Sequence, residues 1–308
     1  MATPYAFFQG QLVPLAEAKI GIMTHALHYG TGVFEGIRGN WNEEEEAIYL
    51  FRMADHYRRL RNSSRILQIS MAYSEEDLCN TTAKLVAMCG YREDVYIRPV
   101  AYKSSEVLGV RLHNLEDDLF IFVMPFGPYL DLEKGARCGT SSWRRVDDTS
   151  IPARGKITGI YVNSALAKTE AHNNGFDEAI MLNNDGHVSE GSGENVFIVQ
   201  DSQLITPSPC DNILVGITRD TIITLARREL GLETIERSID RSELYLADEC
   251  FLTGTAAHVT PVVEIDHRPI GNGKVGPVTA QLQRTYMNII CGKEPKYLQW
   301  CTPVAIPG

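Results

Sequence analysis

Short apolar runs closed by glycine or proline fall into two groups in this chain, with a proline- and glycine-bearing break between them. In the first group, Phe7-Phe8-Gln9-Gly10-Gln11-Leu12-Val13 reads as a hairpin turning at Gly10, and Ile48-Tyr49-Leu50-Phe51 as a further strand. A helix is predicted over 54–66. A second is predicted with Ser74 as N-cap and Asp77 in its first turn, carrying Leu78, Ala83, Leu85 and Val86 and stopping at Gly90. Strands at 95–100 and 119–124 complete an α+β unit that Pro125, Gly127 and Pro128 bring to an end.

The second group repeats this economy with other parts. It has a helix after Lys156, strands at 178–182 and 195–199, a helix over 219–230 ending at Gly231, and a last helix over 277–290 before Gly292. The expected organisation is a small domain over 1–128, a linker over 129–138 and a larger domain over 139–308. Within the larger domain the polar loop 140–154 is long enough to be functional.

Composition narrows the partners. A length of 308 residues, 44% of them apolar, supports a sizeable core. A formal charge of -10 argues against nucleic acid or an anionic membrane and leaves small molecules. Seven scattered cysteines without a C-x-x-C suit a reducing compartment, hence the cytoplasm. Neither a signal peptide nor a spanning run is expected. The acidic run Glu43 to Glu46 reads as a solvated loop.

The chemistry lies in an ordered set of parts: Lys156 with Tyr161; Glu190 in a stretch of small residues; the turn Gly216-Ile217-Thr218-Arg219; and the turn Gly254-Thr255-Ala256-Ala257. A lysine amine, a carboxylate and two hydroxyl-bearing glycine turns are what holds pyridoxal 5'-phosphate as a Schiff base. Each part also has a plainer reading. Lys156 alone suits a surface lysine, and Tyr161 a half-buried core tyrosine. Glu190 suits a loop carboxylate capping an amide, a duty for which Glu194 is the other candidate. Thr218 suits an N-cap, and the 254–257 segment a tight structural turn. The stretch from Thr24 to Arg38 mixes aromatics with Gly30, Gly32 and Gly36. Each glycine weakens a helix by roughly 1 kcal/mol, so a pocket wall fits better. His25 and His28 lack a carboxylate or cysteine in register, so no metal is expected.

Over nearly its whole length the chain resembles the branched-chain amino acid aminotransferases of the fold-type-IV pyridoxal-phosphate enzymes. The likeness rests on His25-Ala26-Leu27-His28-Tyr29-Gly30, Phe34-Glu35-Gly36-Ile37-Arg38, His56-Tyr57-Arg58-Arg59-Leu60, Tyr96-Ile97-Arg98-Pro99, Ser141-Ser142-Trp143 and the four parts above. It implies a small N-terminal α/β sandwich and a larger β-barrel-like domain with surrounding helices. It implies that Lys156 binds the cofactor covalently and shuttles the substrate proton, that Glu190 meets the pyridine nitrogen and that Tyr161 meets the ring oxygen. Arg59, Ile217, Thr218 and Thr255 would hold the phosphate.

For the substrate, the resemblance implies an apolar wall of Phe34, Phe126, Tyr129 and the partner subunit's Val110, with Tyr29 and Arg98 at its rim for a distal carboxylate. Tyr96 belongs to the same group, and Gly36 leaves room beside the substrate. Gly254, Thr255 and Ala256 would receive the α-carboxylate. Phe126 stands where many relatives carry tryptophan, and Ile160 where asparagine is frequent. The implied reaction exchanges amino groups between L-leucine, L-isoleucine or L-valine and 2-oxoglutarate, in branched-chain amino acid biosynthesis, by at least a homodimer with a hexamer left open. The rivals of the same fold are a D-amino acid aminotransferase and an aminodeoxychorismate lyase. A binding protein without activity is the rival of another class.

Overall fold

Gln9 and Gly10 both hold positive φ, 49° and 77°. That is the backbone a two-residue hairpin turn needs to match the twist of its strands. Tyr5–Phe8 and Gln11–Pro14 accordingly pair antiparallel, as the turn at Gly10 predicts. The computed structural model describes residues 4–127 and 130–306. Two units emerge from the chain: one from residues 1–127, 155–159 and 288–308, the other from 128–154 and 160–287.

The first unit is built on an eight-stranded sheet with antiparallel pairing throughout. Its order is Cys301–Ala305, Ala47–Phe51, Ile37–Asn42, Val95–Lys103, Asp117–Pro125, Tyr5–Phe8, Gln11–Pro14, with Gly32–Phe34 also pairing with Val95–Lys103. Helix Met53–Ile66 buries Met53, His56, Tyr57, Leu60, Ser63 and Ser64. Those positions form one stripe at helical period, and Arg59 rides on its margin. Helix Glu75–Cys89 starts in a reciprocal cap, with Asp77 N donating to Ser74 Oγ at 3.1 Å and Ser74 N to Asp77 Oδ2 at 2.9 Å. It ends at Gly90 with φ 66°, as the sequence reads.

Glu43 to Glu46 form an exposed turn, two of whose amides are taken by Asn42 Oδ1. The strand at 32–34 inside the glycine-rich stretch, the strand at 37–42 that starts at its end, and the last strand, Cys301–Ala305, lie outside the sequence expectations. Pro303 explains the last case, because proline is tolerated at the sheet edge this strand occupies.

The second unit carries a nine-stranded mixed sheet ordered Val188–Gly191, Glu178–Leu182, Ala136–Thr140, His258–Ile265, Glu249–Gly254, Asn195–Gln200, Gln203–Thr206, Thr234–Glu236, with Arg268–Pro269 also on His258–Ile265. The edge strand Val188–Gly191 returns to Asn195–Gln200 through Gly191 N, which donates to Glu194 O at 2.6 Å. So the sheet curls round an interior of Ala136, Cys138, Ile180, Leu182, Val196, Ile198, Cys250, Leu252 and Val262. Residues two apart on each strand fill that interior, the period-2 rule of a half-covered sheet. On the other face, Ala167 and Ala171 of helix Tyr161–Asn173 pack on Ala179 and Met181. Helix Ile217–Leu230 lies against the strand Glu249–Gly254, where Phe197 and Phe251 stack at 5.0 Å.

The fold is α+β, with a curled sheet in each unit. No described helix is long and apolar enough to cross a membrane.

Candidate functional site

In the first unit the main chain of Lys156 is fixed at both ends. Its N–H donates to Ser63 Oγ at 3.1 Å, and its carbonyl accepts Phe34 N–H at 3.0 Å. Ile157 then bridges to Val33. The half-buried side chain runs out from this anchored backbone until Nζ lies 5.0 Å from the centre of the Phe34 ring.

Beside it is a buried charge cluster. Arg59 forks onto Glu35, Nε to Oε1 at 2.7 Å and Nη2 to Oε2 at 2.8 Å, while His56 Nδ1 meets Glu35 Oε2 at 2.7 Å. A carboxylate only accepts, so His56 carries its proton on Nδ1. Burial pushes the Glu35 carboxyl up, yet the charge and hydrogen bonds of Arg59, with His56, outweigh burial and hold it far below the usual carboxylate range. Burial also draws the His56 ring below its ordinary value. Glu35, His56 and Ser63 had no assigned role in the sequence reading. For Glu35 and His56 the signal was the pairing of two charged motifs, Phe34-Glu35-Gly36 and His56-Tyr57-Arg58-Arg59, because a fully buried glutamate needs such partners; Ser63 had none.

Phe34, Tyr96, Arg98 and Phe126 are brought together. The Arg98 guanidinium sits 4.4 Å from the Phe34 ring centre and 5.2 Å from that of Tyr96, whose hydroxyl accepts its Nη2 at 3.3 Å. Phe126 packs on Tyr96 at 5.0 Å. A Cβ at Gly36 would fall 1.8 Å from the Tyr96 hydroxyl oxygen, so this glycine makes room for Tyr96. Tyr29 belongs to a different grouping: its hydroxyl accepts Gly109 N–H at 3.0 Å, next to the 90%-exposed Val110. His25 locks the two segments together, with one ring nitrogen on Thr31 Oγ1 and the other on Gly109 O. Tyr129 lies outside the described residues.

The second unit holds Glu190 in the strand Val188–Gly191, 5% exposed. Three donors converge on its carboxylate: Arg145 Nη2 at 2.8 Å on Oε1, and Asn195 Nδ2 at 3.1 Å with Leu214 N at 3.0 Å on Oε2. Arg145 and Asn195 are additions to the sequence reading. Arg145 came from a polar loop in which nothing marks one arginine as the buried one.

Close by, Gly216 is the N-cap of helix Ile217–Leu230, and no side chain caps it. This corrects the placing of Thr218 in the capping position. Thr218 is the second helical residue, and the helix starts two residues before the expected 219. A Cβ on Gly216 would fall 2.1 Å from Asn195 Oδ1, so only glycine fits that close approach. Ile217 and Thr218 are both buried in this first turn, where amide N–H groups have no helical acceptor. Tyr161 opens helix Tyr161–Asn173, after the 3-10 turn Thr158–Ile160. Ile160, 1% exposed, occupies an apolar position. Gly254, Thr255 and Ala256 form the half-buried turn between two paired strands, closed by His258 at φ 56°.

Glu194 takes a backbone amide, Gly193 N to Oε2 at 3.1 Å. Burial first, and then the charge of Glu178, push its carboxyl up to about 8. An acid raised in the folded state stabilises the fold fully below its unfolded value, and that stability drains away as pH rises through the folded one. Glu194→Gln should therefore unfold at the same temperature as wild type below pH 4.5 and at an increasingly higher one as pH rises from there to about 8. Thermal unfolding across that range checks this, and parallel curves for the two proteins would sink it.

Residues 32–265 match the family model described as amino-transferase class IV. A protein of Aquifex aeolicus (strain VF5) named "Probable branched-chain-amino-acid aminotransferase" is 55% identical over 97% of this chain and 96% of its own. The branched-chain aminotransferase of Thermoproteus uzoniensis solved with norvaline is 46% identical, covers 98% of this chain and 99% of its own, and superposes with a TM-score of 0.94. The branched-chain amino acid aminotransferase of Thermobaculum terrenum, solved in its PLP-form (holo-form), is 40% identical with a TM-score of 0.94, covering 99% of each chain.

Proposed function

The chain belongs to the branched-chain-amino-acid aminotransferases of the class IV family, and from that kinship we propose that it exchanges amino groups between L-leucine, L-isoleucine or L-valine and 2-oxoglutarate in branched-chain amino acid biosynthesis. Its cofactor is pyridoxal 5'-phosphate. When bound, this cofactor supplies a ring that takes up the electron pair left as the substrate's α-proton departs.

The donor set suits that molecule. A carboxylate pinned by three donors suits a protonated ring nitrogen, and a helix N-terminus that starts at a glycine with no side-chain cap suits a phosphate. On this reading Lys156 Nζ carries the covalent link and then moves the proton. Arg59, held by Glu35, and Thr255 join Ile217 and Thr218 on the phosphate, Tyr161 donates to the ring oxygen, and Glu190 faces the ring nitrogen. The backbone amides of Thr255 and Ala256, beside Gly254, take the α-carboxylate.

One observation carries the substrate assignment: Arg98 is fixed between Phe34 and Tyr96. An aromatic wall excludes water from an aliphatic side chain, and a cation bound into that wall can receive the distal carboxylate of glutamate without a second pocket. Phe126 extends the wall, and Gly36 admits Tyr96 to it.

At least a homodimer is proposed, with a hexamer compatible. Ile22, Leu108 and Val110 are 84%, 65% and 90% exposed, the kind of apolar surface a partner covers. Since Tyr29 is tied to Gly109, it would reach the neighbouring site together with Val110. Free thiols at all seven cysteines support a cytoplasmic setting.

Assays with 2-oxoglutarate and either L-leucine or D-alanine test the assignment. Turnover of L-leucine, with little of D-alanine, is expected. Exclusive use of the D-substrate ends the assignment, and absence of any turnover favours a binding protein.

A further inference from the structure

Glu190 already has two neutral donors, Asn195 Nδ2 and the Leu214 amide. What Arg145 adds is charge. It is 5% exposed, and beyond its 2.8 Å contact to Glu190 Oε1 its Nε and Nη1 have no hydrogen-bond partner among the described residues. A buried guanidinium with unmet donors is a costly way to satisfy one carboxylate oxygen. Nor is it loosely placed. Arg145 N donates to Leu182 O at 2.8 Å, and Leu182 pairs with Val188 in the strand that carries Glu190. Two adjoining main chains therefore set the contact.

We propose that Arg145 is a positioning residue that keeps the proton between Glu190 and the cofactor's ring nitrogen on the ring. The proposal rests on the reading of Glu190 as the ring's partner. A proton on Glu190 would lie one hydrogen bond from the guanidinium charge. A proton on the ring nitrogen lies at least one hydrogen bond farther away, so the same cation repels it less. Arg145, Asn195 and the Leu214 amide each donate to the carboxylate, and donors favour its ionised form. Arginine does not lose its charge in proteins, so the bias is the same across the working pH range.

The test is nitrogen NMR of holoenzyme loaded with pyridoxal 5'-phosphate labelled with nitrogen-15 in the ring. Wild type should give the signal of a protonated pyridine. Arg145→Gln should shift it toward the neutral pyridine and add the infrared band of a protonated carboxyl. Arg145→Lys, which keeps the charge, should return the signal to its wild-type position. An unshifted signal in cofactor-loaded Arg145→Gln overturns the proposal, as does failure of Arg145→Lys to restore it.

If Arg145→Gln does not fold, wild type alone decides. Its ring signal should hold through the alkaline range in which the enzyme stays folded, and loss of the ring proton near neutrality overturns the proposal. Wild type that takes up no cofactor brings down the assigned function itself, and this inference with it, which is a different outcome from a bound ring whose proton ignores Arg145.

Discussion

Lys156→Ala should lose transamination by about 10⁴-fold or more in kcat, on the scale of a removed acid–base group that is also the nucleophile. The fold should survive. What positions this segment is main chain: the N–H on Ser63 Oγ, the carbonyl on Phe34 N–H and the bridge from Ile157 to Val33. None of these uses the lysine side chain, which is half-buried and can be shortened without opening a sealed core. The variant should still bind pyridoxal 5'-phosphate through the phosphate and ring contacts. After borohydride treatment, however, wild type should carry the cofactor on the peptide containing residue 156 and the variant should carry none. Unfolding temperature, cofactor binding and leucine turnover together separate a chemical role from a structural one. Retention of more than about 1% of wild-type turnover would rule out Nζ as the group that moves the proton.

Local signals carried much of the fold. The hairpin at Gly10, the Ser74–Asp77 cap, and the stops at Gly90 and Gly231 lie where the sequence puts them, because each is decided by neighbours a few residues apart. The helix at 217 shows the limit of that logic. Threonine is a good cap by habit, yet glycine holds the position, because Asn195 approaches too closely for any Cβ, and that contact is invisible along the chain. The strands at 32–34 and 37–42 were hidden for a related reason. Gly32 and Gly39 argue against regular structure locally, while Tyr102 and Ile48, brought up by other strands, lie against them.

The site divides in the same way. Lys156, Glu190 and Arg59 are legible as residue types in a known order. Their partners Ser63, Arg145 and Glu35 are legible only once buried charge and main-chain geometry are seen together. Arg145 does not differ in the sequence from a solvated arginine.

Glu190→Ala should be the second most damaging change, and it should act twice. Activity should fall by about 10²- to 10³-fold, as for the loss of one preorganised electrostatic contact at a reacting group. Stability should fall as well, by about 3–5 kcal/mol, because Arg145 is left buried without its anion. Both side chains of the pair are 6% exposed, so solvent cannot screen the orphaned charge. The two losses have separate causes, and a second substitution parts them. Adding Arg145→Met to Glu190→Ala removes the stranded cation and puts a flexible apolar chain in its place, an exchange that is often neutral or stabilising for buried pairs. The double variant should regain most of the unfolding free energy in denaturant titrations and none of the leucine turnover. Recovery of turnover with stability would mean that Glu190 served only to neutralise Arg145. A single Glu190→Ala variant as stable as wild type would mean that the guanidinium reaches solvent or another anion, contrary to the burial on which the pair's energetics depend.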